Sequence, residues 1–141
     1  MSSSWFVPAL GAVAFVVFAL GVVLRSGTPM KNAWIAPASL CIGFALWTAH
    51  AVLSEGLFGF WSEHIRNAWG HQIWFDLLLA LGICWFTIAP RAKSLGMRLR
   101  PWLLFVICTG SVGMLALLAR VLYLQEQTSR RLPSHLGAVA R

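Results

Sequence analysis

The side chains able to do chemistry are few, and they sit inside apolar runs. His50, Gln72, Asp76 and Arg120 each interrupt a stretch of otherwise hydrophobic residues. A carboxylate, an imidazole, an amide and a guanidinium together would make a polar site. Such a site suits a quinone, a carotenoid end group or a lipid headgroup. The plainer reading is structural: Asp76 pairs with Arg120 or caps a neighbouring helix end, and so fixes the packing. Arg120 can equally extend its charge toward headgroups.

Histidine is also the residue of haem and chlorophyll sites, and His50 and His71 are the candidates here. A lone histidine is more commonly a hydrogen-bonded packing residue. Cys41, Cys84 and Cys108 share a level, each six to seven residues from the basic-loop side of its apolar run. Three thiolates would suit a soft metal, but such cysteines ordinarily pack as small apolar side chains. The chain has no phosphate-binding glycine loop, no Gly-x-Ser-x-Gly elbow, no His-Glu-x-x-His and no paired catalytic carboxylates. That argues against a hydrolase or a nucleotide-driven enzyme, and no catalytic residue or metal site is assigned.

Composition says what must position these residues. Of 141 residues, 59 % are hydrophobic and 11 % charged, with a net charge of +7. Mean hydropathy is +0.75. A soluble domain carries about 25 % charged residues, so a soluble enzyme is excluded, as is a disordered chain. The basic residues fall between apolar runs, the pattern of membrane loops and not of a nucleic-acid surface. Four transmembrane helices are expected, over about residues 5–24, 34–53, 70–89 and 102–122. Twenty residues of helix reach about 30 Å, the thickness of a bilayer core. Pro90 is expected to end the third span. The first span lacks a basic leader and is expected to be retained.

Trp5, Trp34, Trp69 and Trp102 each fall at or beside the start of a span, where indole rings anchor at headgroup level. Leu57, Trp61 and Ile65 recur every four residues between spans 2 and 3, which predicts a short helix in the interface. Residues 125–141 read as a polar, basic tail that is mobile when alone. The expected fold is therefore an all-α, four-span bundle with an interfacial segment between helices 2 and 3.

The loop between spans 3 and 4 holds Arg91, Lys93, Arg98 and Arg100 and no acid; the loop between spans 1 and 2 holds Arg25 and Lys31. Both are expected in the cytoplasm, with both termini outside a bacterial inner membrane. Arg130, Arg131 and Arg141 in the tail point the other way.

With straight spans, the polar residues share a level. Asp76 is 14 residues from Pro90, about 21 Å above the basic-loop side. His50 is about 24 Å above Trp34, and Arg120 about 28 Å above Pro101. Gly110, Gly113 and Arg120 share one face of span 4, so Arg120 is expected to point into the bundle; Gly43 shares a face of span 2 with His50. Gly43, Gly110 and Gly113 are the expected helix-packing positions.

From Trp34 to about residue 126, two-thirds of the chain resembles an uncharacterised bacterial membrane family, the domain of unknown function 2834. The residues concerned are Gly56-Leu-Phe-Gly-Phe-Trp61, Trp74-Phe-Asp-Leu-Leu-Leu-Ala80, Arg91-Ala-Lys-Ser-Leu-Gly-Met97, Arg100-Pro-Trp102 and Leu122-Tyr-Leu124. This resemblance implies topology and brings no assigned reaction. His71 to Leu77, a His-x-x-x-x-Asp-Leu stretch in the third span, is similar to the neoxanthin-synthesis membrane proteins of plants and cyanobacteria. That likeness implies carotenoid conversion with His71 and Asp76 as the matched positions. The family's basic residue after that Asp has no counterpart here, since Leu78 to Phe86 is uncharged.

The leading expectation is a non-catalytic accessory subunit, embedded in the lipid bilayer, that packs against a larger energy-converting or pigment-bearing membrane complex. The alternative is a protein that binds or converts a carotenoid, quinone or other isoprenoid lipid. A chlorophyll-type pigment at an interface with other subunits fits either reading.

Overall fold

A computed structural model describes residues 6–24 and 31–139, with no side-chain detail for Val7, Val22 and 131–139. Trp5 and Arg25 lie outside the described residues. The chain divides into two compact units, residues 1–30 and 31–141. The first unit contributes one apolar helix, α1 (Phe6–Val23), over the first expected span.

The second unit holds α2 (Ile35–Glu55), α3 (Gly59–Ile65), α4 (Ala68–Ser94), α5 (Leu99–Thr109) and α6 (Ser111–Val139). All described secondary structure is helical. α2 and α4 are long and apolar enough to cross a membrane, and nearly all residues of their apolar stretches are exposed or only partly buried within the chain. A soluble core helix would hide that surface; these two display it to their surroundings.

Local chemistry sets the helix ends. Pro37 sits in the first turn of α2, where its missing N–H costs nothing, and it is buried. Gly56, at φ +82°, closes α2. Asn67 caps α4, its side chain accepting from the Gly70 N–H at 2.9 Å. Pro90 does not end α4 as expected; the helix runs through it to Ser94. The true stop is Gly96, at φ +76°, with Met97 N–H bonded to Ala92 O and Gly96 N–H to Lys93 O, both 3.0 Å. This double closure satisfies the last carbonyls and turns apolar Met97 back onto the core.

The largest departure is at Gly110. The expected fourth span is not one helix. Gly110 adopts φ +59°, ψ −122° between α5 and α6, which few side-chain-bearing residues tolerate. Across this turn the chain folds back. A Cβ placed on Gly113 would lie 2.9 Å from Val106 Cα and 3.0 Å from Phe105 O. In a continuous helix residues 106 and 113 would be about 10 Å apart along the axis.

The helix directions follow. Cys41 donates to Val112 O at 3.4 Å, Trp34 stacks edge-on against Tyr123 at 5.5 Å, and Asn32 N–H bonds Glu126 at 3.0 Å. As the α2 side advances in sequence, the α6 side retreats, so α6 is antiparallel to α2. The four-residue turn after α4 starts α5 beside Ser94, and the Gly110 end of α5 lies level with Leu81. α5 therefore rises along the second half of α4, and α6 descends again beside it.

The core lies in this half. Leu117 and Val121 of α6 are 0 % and 1 % exposed, clustered with Ala92, Val106 and Met114. Leu81, Trp85 and Ile88 of α4, and Leu95 just after it, pack against them; with Ala92 they recur at alternating four- and three-residue spacing. α6 continues as helix through Pro133 to Val139, so residues 125–139 are helical and continuous with the segment that carries Leu117 and Val121. The Gly110 turn brings that end out beside the 95–98 turn, whereas a straight fourth span would send it to the opposite end.

Candidate functional site

The polar residues expected to converge do not meet. The reversal at Gly110 lowers Arg120 to about 15 Å below the turn, while Asp76 stands about 8 Å above it. Arg120 is exposed and does not point into the bundle; its guanidinium lies 5.7 Å from the Tyr123 ring centre. Among the described residues the ion pairs are Arg66–Glu63 and Arg130–Glu126, and neither involves Asp76 or Arg120.

The other members make contacts within their own helices. Gln72 donates to Asp76 Oδ1 at 3.4 Å, one turn away. His50 lies 6.0 Å, ring to ring, from Trp47. His71 Nδ1 is 3.0 Å from Asn67 O. Cys84 and Cys108 are exposed and Cys41 is half-buried against α6.

Their orientation is the informative part. Taking the α4 stripe of Leu81, Trp85, Ile88 and Ala92 as the inward direction, Asp76 is rotated by about 150° and Gln72 by about 170°. His50 of α2 is about 160° from the direction of Cys41 and Ala45. All three are exposed. Hydrophobic neighbours flank them on the same outer surface, including Phe75, Leu79 and Ile83 of α4 and Leu46 and Leu53 of α2. An acid on the outside of an apolar helix is not a core device. Facing lipid it would cost about 3 kcal/mol.

The expected packing glycines divide three ways. Gly113 is tight against α5, as described. Gly110 serves conformation: an added Cβ would meet only Leu81 Cδ1, at 4.0 Å, but the positive φ would be strained. A Cβ added at Gly43 would meet nothing within 4 Å among the described residues. Of the expected tryptophan anchors, Trp34 and Trp102 are half-buried, against Tyr123 and Phe105 respectively, and Trp69 is 76 % exposed.

Two groupings were not foreseen. At the α3 end, Phe60, Trp61 and His64 surround Trp74, with the His64 ring 4.9 Å from it. Gly70 permits this, since a Cβ there would lie 2.5 Å from Glu63 O and 2.6 Å from His64 O. The sequence hint was an aromatic segment followed by a glycine one turn into the next helix.

At the other end, Tyr123 is wedged between Trp34 and Arg120, and its hydroxyl accepts from Gln127 Nε2 at 2.6 Å. Glu126 accepts from Asn32 N–H and from Arg130. Asn32 is held at φ +61° there, an unusual conformation that asparagine tolerates. The Asn32 N–H foremost, then Arg130 and the Lys31 charge, hold the Glu126 carboxyl below its ordinary value of 4.5, against a partial burial that would raise it. This clasp ties the start of α2 to the far end of α6.

Among the described residues no three His, Cys, Asp or Glu side chains group as metal ligands. Compared with protein-family models, curated proteins and solved structures, the chain matches none.

Proposed function

We propose that this chain is a non-catalytic integral membrane subunit that packs against a larger, energy-converting or pigment-bearing complex. The observation that carries the reading is the outward Gln72–Asp76 pair on α4, set in an exposed apolar surface. Inward polar groups would support a ligand site within the chain; these face away from its core. Polar side chains on the outside of a spanning helix serve helix–helix association, where a partner supplies the missing hydrogen bonds.

Gentle purification from native membranes, with a tag on the C-terminus, tests this. The eluate is read by absorption spectrum and mass spectrometry. Large subunits should accompany the wild-type chain, with any pigment belonging to them. Asp76→Leu should accumulate normally and melt at the wild-type temperature, yet lose those subunits. A lone wild-type chain carrying stoichiometric carotenoid or quinone would overturn the reading and favour isoprenoid binding. So would an Asp76→Leu chain that keeps every partner.

A further inference from the structure

The turn at Gly110 changes where the charges end up. Lys31 precedes α2, Arg91 and Lys93 close α4, Arg98 and Arg100 open α5, and Arg130 lies two turns beyond Tyr123 on α6. The Trp34–Tyr123 and Asn32–Glu126 contacts place the first and last of these at one end of the second unit. The α4–α5 turn lies at that same end. All six cations are exposed, against one carboxylate, Glu126, that is already bonded to Arg130 and Asn32. At the α3 end, Glu55 and Glu63 face one cation, Arg66, which pairs with Glu63 at 3.3 Å.

A straight fourth span would have split these basic groups between the two sides. α5, with 11 residues, reaches about 16 Å, roughly half a bilayer core. From this we infer that α5 and α6 form a re-entrant hairpin, entering and leaving by one leaflet, and that the basic end it completes binds the anionic phospholipid headgroups of that leaflet. The half-buried Trp34 and Trp102 stand at the same end, where indoles meet headgroups. Charge complementarity identifies the partner: exposed cations beside an apolar surface fit an acidic lipid surface. All the basic loops then obey one positive-inside rule, and the contrary pull of the tail disappears.

The inference rests on the membrane reading, which carbonate washing checks separately, since an embedded chain stays in the pellet. Topology is read with an impermeant maleimide on Ser94→Cys, Thr128→Cys and Ser62→Cys, in right-side-out and inverted vesicles. The wild-type chain, with its three native cysteines, is the blank. Residues 94 and 128 should label from the same side and residue 62 from the other. Labelling of 128 together with 62 would overturn the hairpin.

Headgroup binding is read as melting temperature in nanodiscs. Phosphatidylglycerol should raise it by several degrees over phosphatidylcholine. High salt should abolish the gain, as should the joint change of Arg91, Lys93, Arg98 and Arg100 to Gln. Equal melting in the two lipids would overturn the headgroup contact. If the Gln variant fails to fold, the salt dependence of the wild-type chain decides alone.

Discussion

α2 and α4 pass through two regions of one molecule that differ in what lies between them. Below the Gly110 turn, α6 fills the space, and Leu117 and Val121 are almost wholly enclosed. Above it, the same helices carry Leu53, Leu79 and Phe75 exposed, and their polar residues face outward. The lower region is a protein core with its own jigsaw contacts. Among the described residues of the second unit, the upper region is braced at its rim by α3 against Trp74. The short α5–α6 turn at Gly110 leaves α6 packed along the lower half alone.

The largest test of this contrast compares two leucines. Leu117→Ala leaves a cavity among Ala92, Val106 and Val121 and should cost about 2 kcal/mol or more, seen as a clear fall in detergent melting temperature. Leu53→Ala, at a site 87 % exposed, should change it little. Equal effects would mean the lower region is not the core. A sharper version uses glycines. Gly113→Ala places a methyl against Val106 Cα and Phe105 O and should cost about 1–3 kcal/mol. Gly43→Ala meets open space and should be neutral, or stabilising by up to about 1 kcal/mol through helix propensity.

The smallest expected effect concerns the Glu126 clasp. Its carboxyl titrates below the ordinary 4.5 in the folded chain. The clasp therefore contributes fully above pH 4.5, and its contribution fades as the pH falls through the lower folded value. Glu126→Gln should lower the melting temperature slightly at neutral pH and make no difference in strong acid. A gap that persists in acid would assign the contact to shape and not charge.

What could be read from the sequence follows from what hydropathy measures. Uncharged runs and flanking tryptophans revealed α2 to within two residues and the start of α4, but stopped α4 five residues short of its end at Ser94. Four-residue spacing of Leu57, Trp61 and Ile65 revealed α3. The α5–α6 reversal was hidden because residues 102–119 carry no charge, and a sum over a window is blind to direction. The available signal was Thr109-Gly110-Ser111, a turn-like triplet in the middle of an apolar run. Pro90 misled for a related reason: a spanning helix can absorb a proline, and Gly96 with its double carbonyl closure is the stronger stop.

The candidate site was legible only locally. One-turn spacing joined Gln72 to Asp76 correctly. Placing Arg120 beside them assumed a straight span, and the error in one turn moved that residue by about 30 Å. Arg120's true neighbour, Tyr123, lies three residues away on its own helix.

The half-depth hairpin also has a consequence for how the chain is made. Arg120, Glu126 and Arg130 follow α5 in the chain. A full crossing by this segment would require those charges to be driven through the bilayer. With the hairpin dipping in and returning, that cargo stays where it was synthesised, and only the apolar stretch around the Gly110 turn must leave water.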